Sequence, residues 1–136
     1  MSEVKKLNEG AKFAHATVGQ VNGFEGKAFL KDTLGLTGCE VSFGTLPKGA
    51  AVPFFHSHKE NEEVYIVLTG AGRFQVDADV FDVAEGSVVR VSTHADRNIK
   101  CTSDTPMTYI CIQAKEGSLS HCTADDCEIN EREDLM

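Results

Sequence analysis

From Lys27 onward the chain is a succession of short runs rich in Val, Ile, Phe and Thr, each broken after several residues by Gly, Pro, Asp or Asn. Runs of this kind bury a face as strands, and no stretch there sustains the apolar spacing of a helix. The pattern predicts an all-β domain with strands at 27–31, 38–46, 52–58, 63–69, 72–76, 80–83, 87–91, 97–102 and 107–114. Connectors such as Pro47-Lys48-Gly49, Asp77-Ala78-Asp79 and Glu85-Gly86 are short and carry turn chemistry, which favours antiparallel neighbours. A sandwich or closed barrel covers so many apolar faces and disposes of exposed edges.

The 136 residues, 41% of them hydrophobic, suit one domain with a single core. We expect an N-terminal arm over residues 1–26 that packs on a barrel at 27–116, followed by an acidic, solvated tail at 117–136. The net charge of −8 disfavours nucleic acid or an anionic membrane surface as partner. Much of that charge is local, because between Asp125 and Asp134 six acids face the single Arg132. No apolar run approaches the roughly 20 residues that span a bilayer. The cysteines, Cys39, Cys101, Cys111, Cys122 and Cys127, are odd in number and scattered, and the start of the chain lacks the pattern of a secretory signal. A reducing cytoplasm is the expected compartment.

The segment 53–63, Pro-Phe-Phe-His-Ser-His-Lys-Glu-Asn-Glu-Glu, carries the strongest chemical signal. Residues two apart on a strand share a face, so His56 and His58 present two imidazoles side by side. If Lys59 to Glu62 turn the chain, Glu63 opens the adjacent strand and brings a carboxylate to the same point. Two imidazoles and a carboxylate form a site for zinc, iron, nickel or manganese, with positions left open for water or substrate. An isolated His-x-His pair in a β protein is more often incidental surface. Here Glu63, Tyr65 and Val67 follow on one strand face.

Residues 49–70 resemble the first motif of the cupin family: a Gly, a spacer, His-x-His, three or four residues, Glu, six residues, Gly. Four residues separate Glu63 from His58 and six separate it from Gly70, which selects Glu63 over Glu62 as the ligand. The resemblance implies a double-stranded β-helix, or jelly-roll barrel, with a divalent metal inside its mouth on His56, His58 and Glu63. The family's second motif is altered. Counted from Gly86, its Pro-x-Gly falls on Ser92, Thr93 and His94, its ligand His on Arg97, and its Asn on Cys101. The usual fourth ligand is therefore replaced by a permanent cation.

Three arrangements of Arg97 are open. It can bind a carboxylate of a substrate held beside a metal on the three remaining ligands. Alternatively His94 can substitute as fourth ligand, although its odd separation from Arg97 demands an irregular loop. In the third, Arg97 pairs with Glu63 in a pocket without metal. Tyr65 is expected to point inward, as hydrogen-bond donor or acid, or simply as a core residue with its hydroxyl satisfied. Cys101 reads as a small buried hydrophobe, and Phe54 and Phe55 as pocket wall and core. His121, Cys122 and Cys127 match no closed zinc spacing.

Two classes of function fit. The first is a metal-dependent enzyme acting on a small polar, sugar-like or carboxylate-bearing molecule, as isomerase or lyase, or as dioxygenase if the metal is iron. The second is a binding module that holds a small acid or sugar without turning it over. In either case Val64, Ile66 and Leu68 give the Glu63 strand a second apolar face that needs a cover, and a homodimer is expected.

Overall fold

The protein was analysed as a computed structural model, which describes residues 4–22 and 24–136. Apart from one helical turn and one 3-10 turn, its regular structure is strand. In chain order these are β1 (Lys5–Gly10), β2 (Phe13–Thr17), β3 (Gly26–Phe29), α1 (Lys31–Leu34), β4 (Glu40–Leu46), β5 (Asn61–Thr69), β6 (Ala71–Val76), β7 (Asp79–Ala84), β8 (Val88–Val91), β9 (Arg97–Cys101) and β10 (Met107–Lys115). β3, β4, β10, β5 and β8 form one sheet in that spatial order, and β7, β6 and β9 form another. All the strand pairings are antiparallel.

The two sheets share one core. Period-2 alternation along β5 buries Glu63, Tyr65 and Val67 and leaves Val64, Ile66 and Leu68 half-exposed on the opposite face. Tyr109 and Cys111 from β10 lie opposite Val67 and Tyr65 and point the same way. The smaller sheet answers with Phe74, Val83, Ile99 and Cys101. Each fully buried side chain of this size contributes roughly 1.5–3 kcal/mol relative to exposure. The Tyr65 ring meets Phe74 edge-on at 4.9 Å, tying the sheets together at the centre. Two sheets closed in this way over one core, with antiparallel crossovers, make a double-stranded β-helix.

Two glycines decide local geometry. Gly70, at the β5–β6 turn, has φ 75°, and a Cβ there would stand 2.7 Å from the Pro106 carbonyl oxygen. At Gly44, on β4, a Cβ would lie 2.5 Å from the Tyr109 ring, so the absence of a side chain lets that ring rest on bare backbone.

One expected strand is absent. Residues 52–58 form no continuous ladder with β9: isolated bridges stand at Ala51–Lys100 and His56–Arg97, and the Val52 N–H donates to the Ile99 carbonyl at 3.3 Å. Pro53 cannot donate to a ladder, and Pro53, Phe54 and Phe55 loop outward between the bridges. The Asn98 amide replaces the lost ladder bonds, donating to the Val52 and Phe54 carbonyls at 2.8 and 3.3 Å. Phe55 is consequently half-exposed rather than a core residue. The expected strand at 27–31 also stops early, because Lys31 opens α1, capped by Gly35 in the left-handed conformation.

In the region expected as an arm, residues 1–3 and 23 lie outside the described residues. The remainder contains the β1–β2 hairpin, which neighbours α1. Asn22 accepts hydrogen bonds from the hydroxyls of Thr69 at 2.8 Å and Thr108 at 3.1 Å. Thr108 and Thr45, both buried, share a further hydroxyl contact at 3.0 Å. Among the described residues no helix is long and apolar enough to cross a membrane.

Candidate metal centre

His56 and His58 lie in the irregular segment that runs along β9. The bridge from the Arg97 N–H to the His56 carbonyl (3.0 Å) fixes the first, and the His94 N–H donates to the His58 carbonyl (2.8 Å) to fix the second. Both imidazoles are thereby turned inward with Ser57 outward, although no continuous strand is present. Their rings stand nearly perpendicular at 5.1 Å.

Glu63 comes from the start of β5, opposite Gln113 on β10 and Val91 on β8. Its carboxylate is almost wholly buried and receives both histidines: His58 Nε2 lies 3.2 Å from Oε2 and His56 Nε2 3.8 Å from Oε1. The three ligand atoms lie within 4.8 Å of one another. That is close to the span one ion bridges with bonds of roughly 2.0–2.2 Å. Glu62 points to the other face, where it pairs with Arg90 at 2.8 Å. Strand parity therefore separates the two adjacent acids.

The carboxylate is held from behind. The Tyr65 hydroxyl donates to Oε1 at 2.9 Å, and the Cys111 thiol donates to Oε2 at 3.3 Å. Arg97 Nε stands 3.6 Å from Oε1 with its side chain 1% exposed. Its other nitrogens reach the His56 and Ser92 carbonyls at 3.5 and 3.4 Å. Burial alone would raise the Glu63 pKa, but the hydrogen bonds from Tyr65 and Cys111 and the charges of His58 and Arg97 outweigh it and hold the carboxyl below its ordinary range. Burial pushes the His56 imidazole down, against the pull of Glu63. A neutral imidazole and an ionised carboxylate are the forms that bind a metal, so the donor set fits a divalent ion. His56 Nδ1 is buried without a hydrogen-bond partner among the described residues, and the ring is braced instead by edge contacts to Phe54 and His58.

The triad forms one wall of a cavity of about 220 Å³, which Lys27, Phe54, Tyr109 and Gln113 help to enclose. Among the described residues, His56, His58 and Glu63 are the group able to hold a metal. The chain belongs to the cupin family. The cupin domain family matches residues 42–113, more than half of the chain. A cupin protein from Bacteroides fragilis is 35% identical, with a TM-score of 0.76 over 96% of this chain and 100% of that one. More distant likenesses show the cupin fold alone. The Cnp3 cupin domain of Schizosaccharomyces pombe is 20% identical (TM-score 0.55; 58% of this chain, 57% of that one). A predicted oxalate decarboxylase from Thermotoga maritima is 22% identical (TM-score 0.51; 57% of this chain, 64% of that one). Comparison with curated proteins gave no match.

Of the three arrangements open for the altered second cupin motif, the geometry contains the Arg97–Glu63 pair. His94 is exposed at φ 62° and contributes its backbone to the site, not its ring. Cys101 is fully buried beside Ser103 and Thr105, as a small core residue. Cys122 and Cys127 are exposed. Lys27, Cys111 and Gln113 have no mark in the local sequence. They reach the cavity because β3 and β10 lie in the same sheet as β5, a non-local pairing that no short motif records.

Proposed function

We propose that this cupin binds a divalent metal through His56, His58 and Glu63 and acts on a small polar molecule in the adjoining cavity. The observation that carries the reading is the convergence of both Nε2 atoms on one buried carboxylate at the wall of that cavity. When bound, a zinc, nickel or manganese ion supplies Lewis acidity suited to isomerase or lyase chemistry, and iron adds the redox capacity of a dioxygenase. The chain's own residues divide the remaining work. Tyr65 and Cys111 orient the carboxylate, and Arg97 balances its charge from the rear. Burial raises the Tyr65 phenol well above its ordinary pKa, which favours a positioning role over that of a general acid. Phe54 lines the cavity and packs edge-on against the His56 ring.

A second reading is supported by the Arg97–Glu63 pair: a non-catalytic small-ligand-binding cupin in which the arginine takes the place of the ion. Elemental analysis of protein purified without added metal separates the two. Stoichiometric metal in the native protein, lost in His56→Ala and Glu63→Ala, is the expected result. A native protein without metal that also fails to take up added zinc, iron, nickel or manganese would overturn it.

We infer further that a second copy covers the outer face of the larger sheet. Val64, Ile66, Phe43, Ile110 and Ile112 are half-buried there, and Val88 beside them is 64% exposed. Self-association of one apolar face about a two-fold axis would bury this surface on both copies.

A further inference from the structure

We propose that Lys27 is the anion-recognising residue of the cavity and that the ligand is a small carboxylic acid whose carboxylate is received there. The inference rests on the reading of this cavity as the ligand site, and does not require the metal to be present.

Lys27 is half-buried on β3 and faces the same cavity as the triad. Its position follows from the backbone. Lys27 lies opposite Gly44, and because Gly44 has no side chain the Tyr109 ring occupies the space beside it. The ammonium stands 5.6 Å from the centre of that ring and 5.4 Å from the Phe29 ring. Both distances are within cation–π range, so two aromatic faces restrict a normally mobile side chain. Among the described residues no carboxylate lies within ion-pair distance of Lys27. The other basic side chains without one among the described residues, Lys5, Lys12, Lys59, Lys100, Lys115 and Arg132, are exposed to solvent, whereas Lys27 is half-buried.

Charge and hydrogen bonding point the same way. Glu63, the acid of the cavity, is already engaged by Arg97, His58, Tyr65 and Cys111, so Lys27 is left as uncompensated positive charge in a partly desolvated space. Gln113 accepts from the Asn61 amide through Oε1 at 2.9 Å, which leaves its own N–H donors for an acceptor in the cavity. Arg97, the residue that sequence reasoning offered for this task, is 1% exposed and its nitrogens face Glu63, the His56 carbonyl and the Ser92 carbonyl. An ammonium held against two aromatic rings, with an amide donor lining the same cavity, suits a small carboxylate, and about 220 Å³ gives room for one.

The test is calorimetric titration of native protein, Lys27→Arg and Lys27→Met with succinate, and with succinamide as a neutral analogue. Metal content is determined on the same samples. Succinate should bind the native protein and Lys27→Arg more tightly than succinamide does, bind Lys27→Met at least about tenfold more weakly, and lose most of its advantage over succinamide in that variant. Met keeps most of the lysine stem, and circular dichroism of the variant confirms folding. Equal succinate affinity in native and Lys27→Met protein, or no succinate binding by the native protein, would overturn the proposal. Metal present with equal affinities sinks Lys27 and leaves the metal reading standing. Metal absent with Lys27-dependent binding does the reverse.

Discussion

Arg97 Nε lies 3.6 Å from Glu63 Oε1, with both side chains withdrawn from water. This pair sits where the fourth ligand of the family's second motif would stand, and it ties the opening residue of β9 to the carboxylate of the His56–His58–Glu63 triad on β5. A buried carboxylate with a fixed cation behind it keeps its charge without a metal, so the site need not depend on an ion to be folded.

Removing one member of the pair leaves the other buried and unbalanced. Arg97→Met should destabilise the protein by about 3 kcal/mol, the lower end of what breaking a buried pair costs, because Tyr65 and Cys111 still donate to Glu63. The double variant Arg97→Met, Glu63→Gln should recover part of that loss. Urea unfolding measures both, and an unchanged midpoint in the single variant would remove the pair from the account of stability.

Tyr65→Phe preserves the ring that packs against Phe74 and deletes only the hydroxyl bonded to Glu63. Loss of such a partner to a metal-binding carboxylate should weaken metal affinity roughly 10–100-fold, with a small change in stability. Competition against a chelator of known affinity gives the number. Unaltered affinity would show that the phenol does not position the carboxylate.

Burial, followed by the charge of Glu63, pushes the Cys111 thiol up to about 12. At neutral pH it is therefore protonated and a poor nucleophile, whereas Cys122 and Cys127 are exposed. Under native conditions iodoacetamide should modify Cys122 and Cys127 and spare Cys111, which reacts once the chain is unfolded. Mass spectrometry of the labelled peptides reads this directly, and rapid native labelling at Cys111 would contradict its burial against Glu63.

The outer sheet face gives a test of self-association. Ile66 pairs with Ile110 and Val88 at its centre. Sedimentation should show a dimer for the native protein and a monomer for Ile66→Glu, since a charge placed in an apolar contact has no partner there. A native monomer at micromolar concentrations would leave the face uncovered and reject the interface.

Much of this protein is local enough to be read along the chain. Runs of Val, Ile, Phe and Thr bounded by turn residues located β4 to β10 to within about two residues at each end. Motif spacing, four residues from His58 and six to Gly70, singled out Glu63 over Glu62, and the alternation along β5 places the two acids on opposite faces. The spacing of His56, His58 and Glu63 carried the family resemblance. Only the tertiary structure decided the rest. The histidine segment proved to be an irregular stretch bridged to β9, since Pro53 lacks a donor and the Asn98 side chain takes over the ladder's work. The fate of Arg97 depended on which atoms lie around it once two sheets close, and the chain alone left three arrangements open. Lys27, Cys111 and Gln113 arrive from strands far away in sequence, through the non-local pairings of β3 with β4 and of β10 with β5. Ligands on adjacent turns of chain leave a pattern in the sequence; the charges that surround them are set by pairings between distant strands.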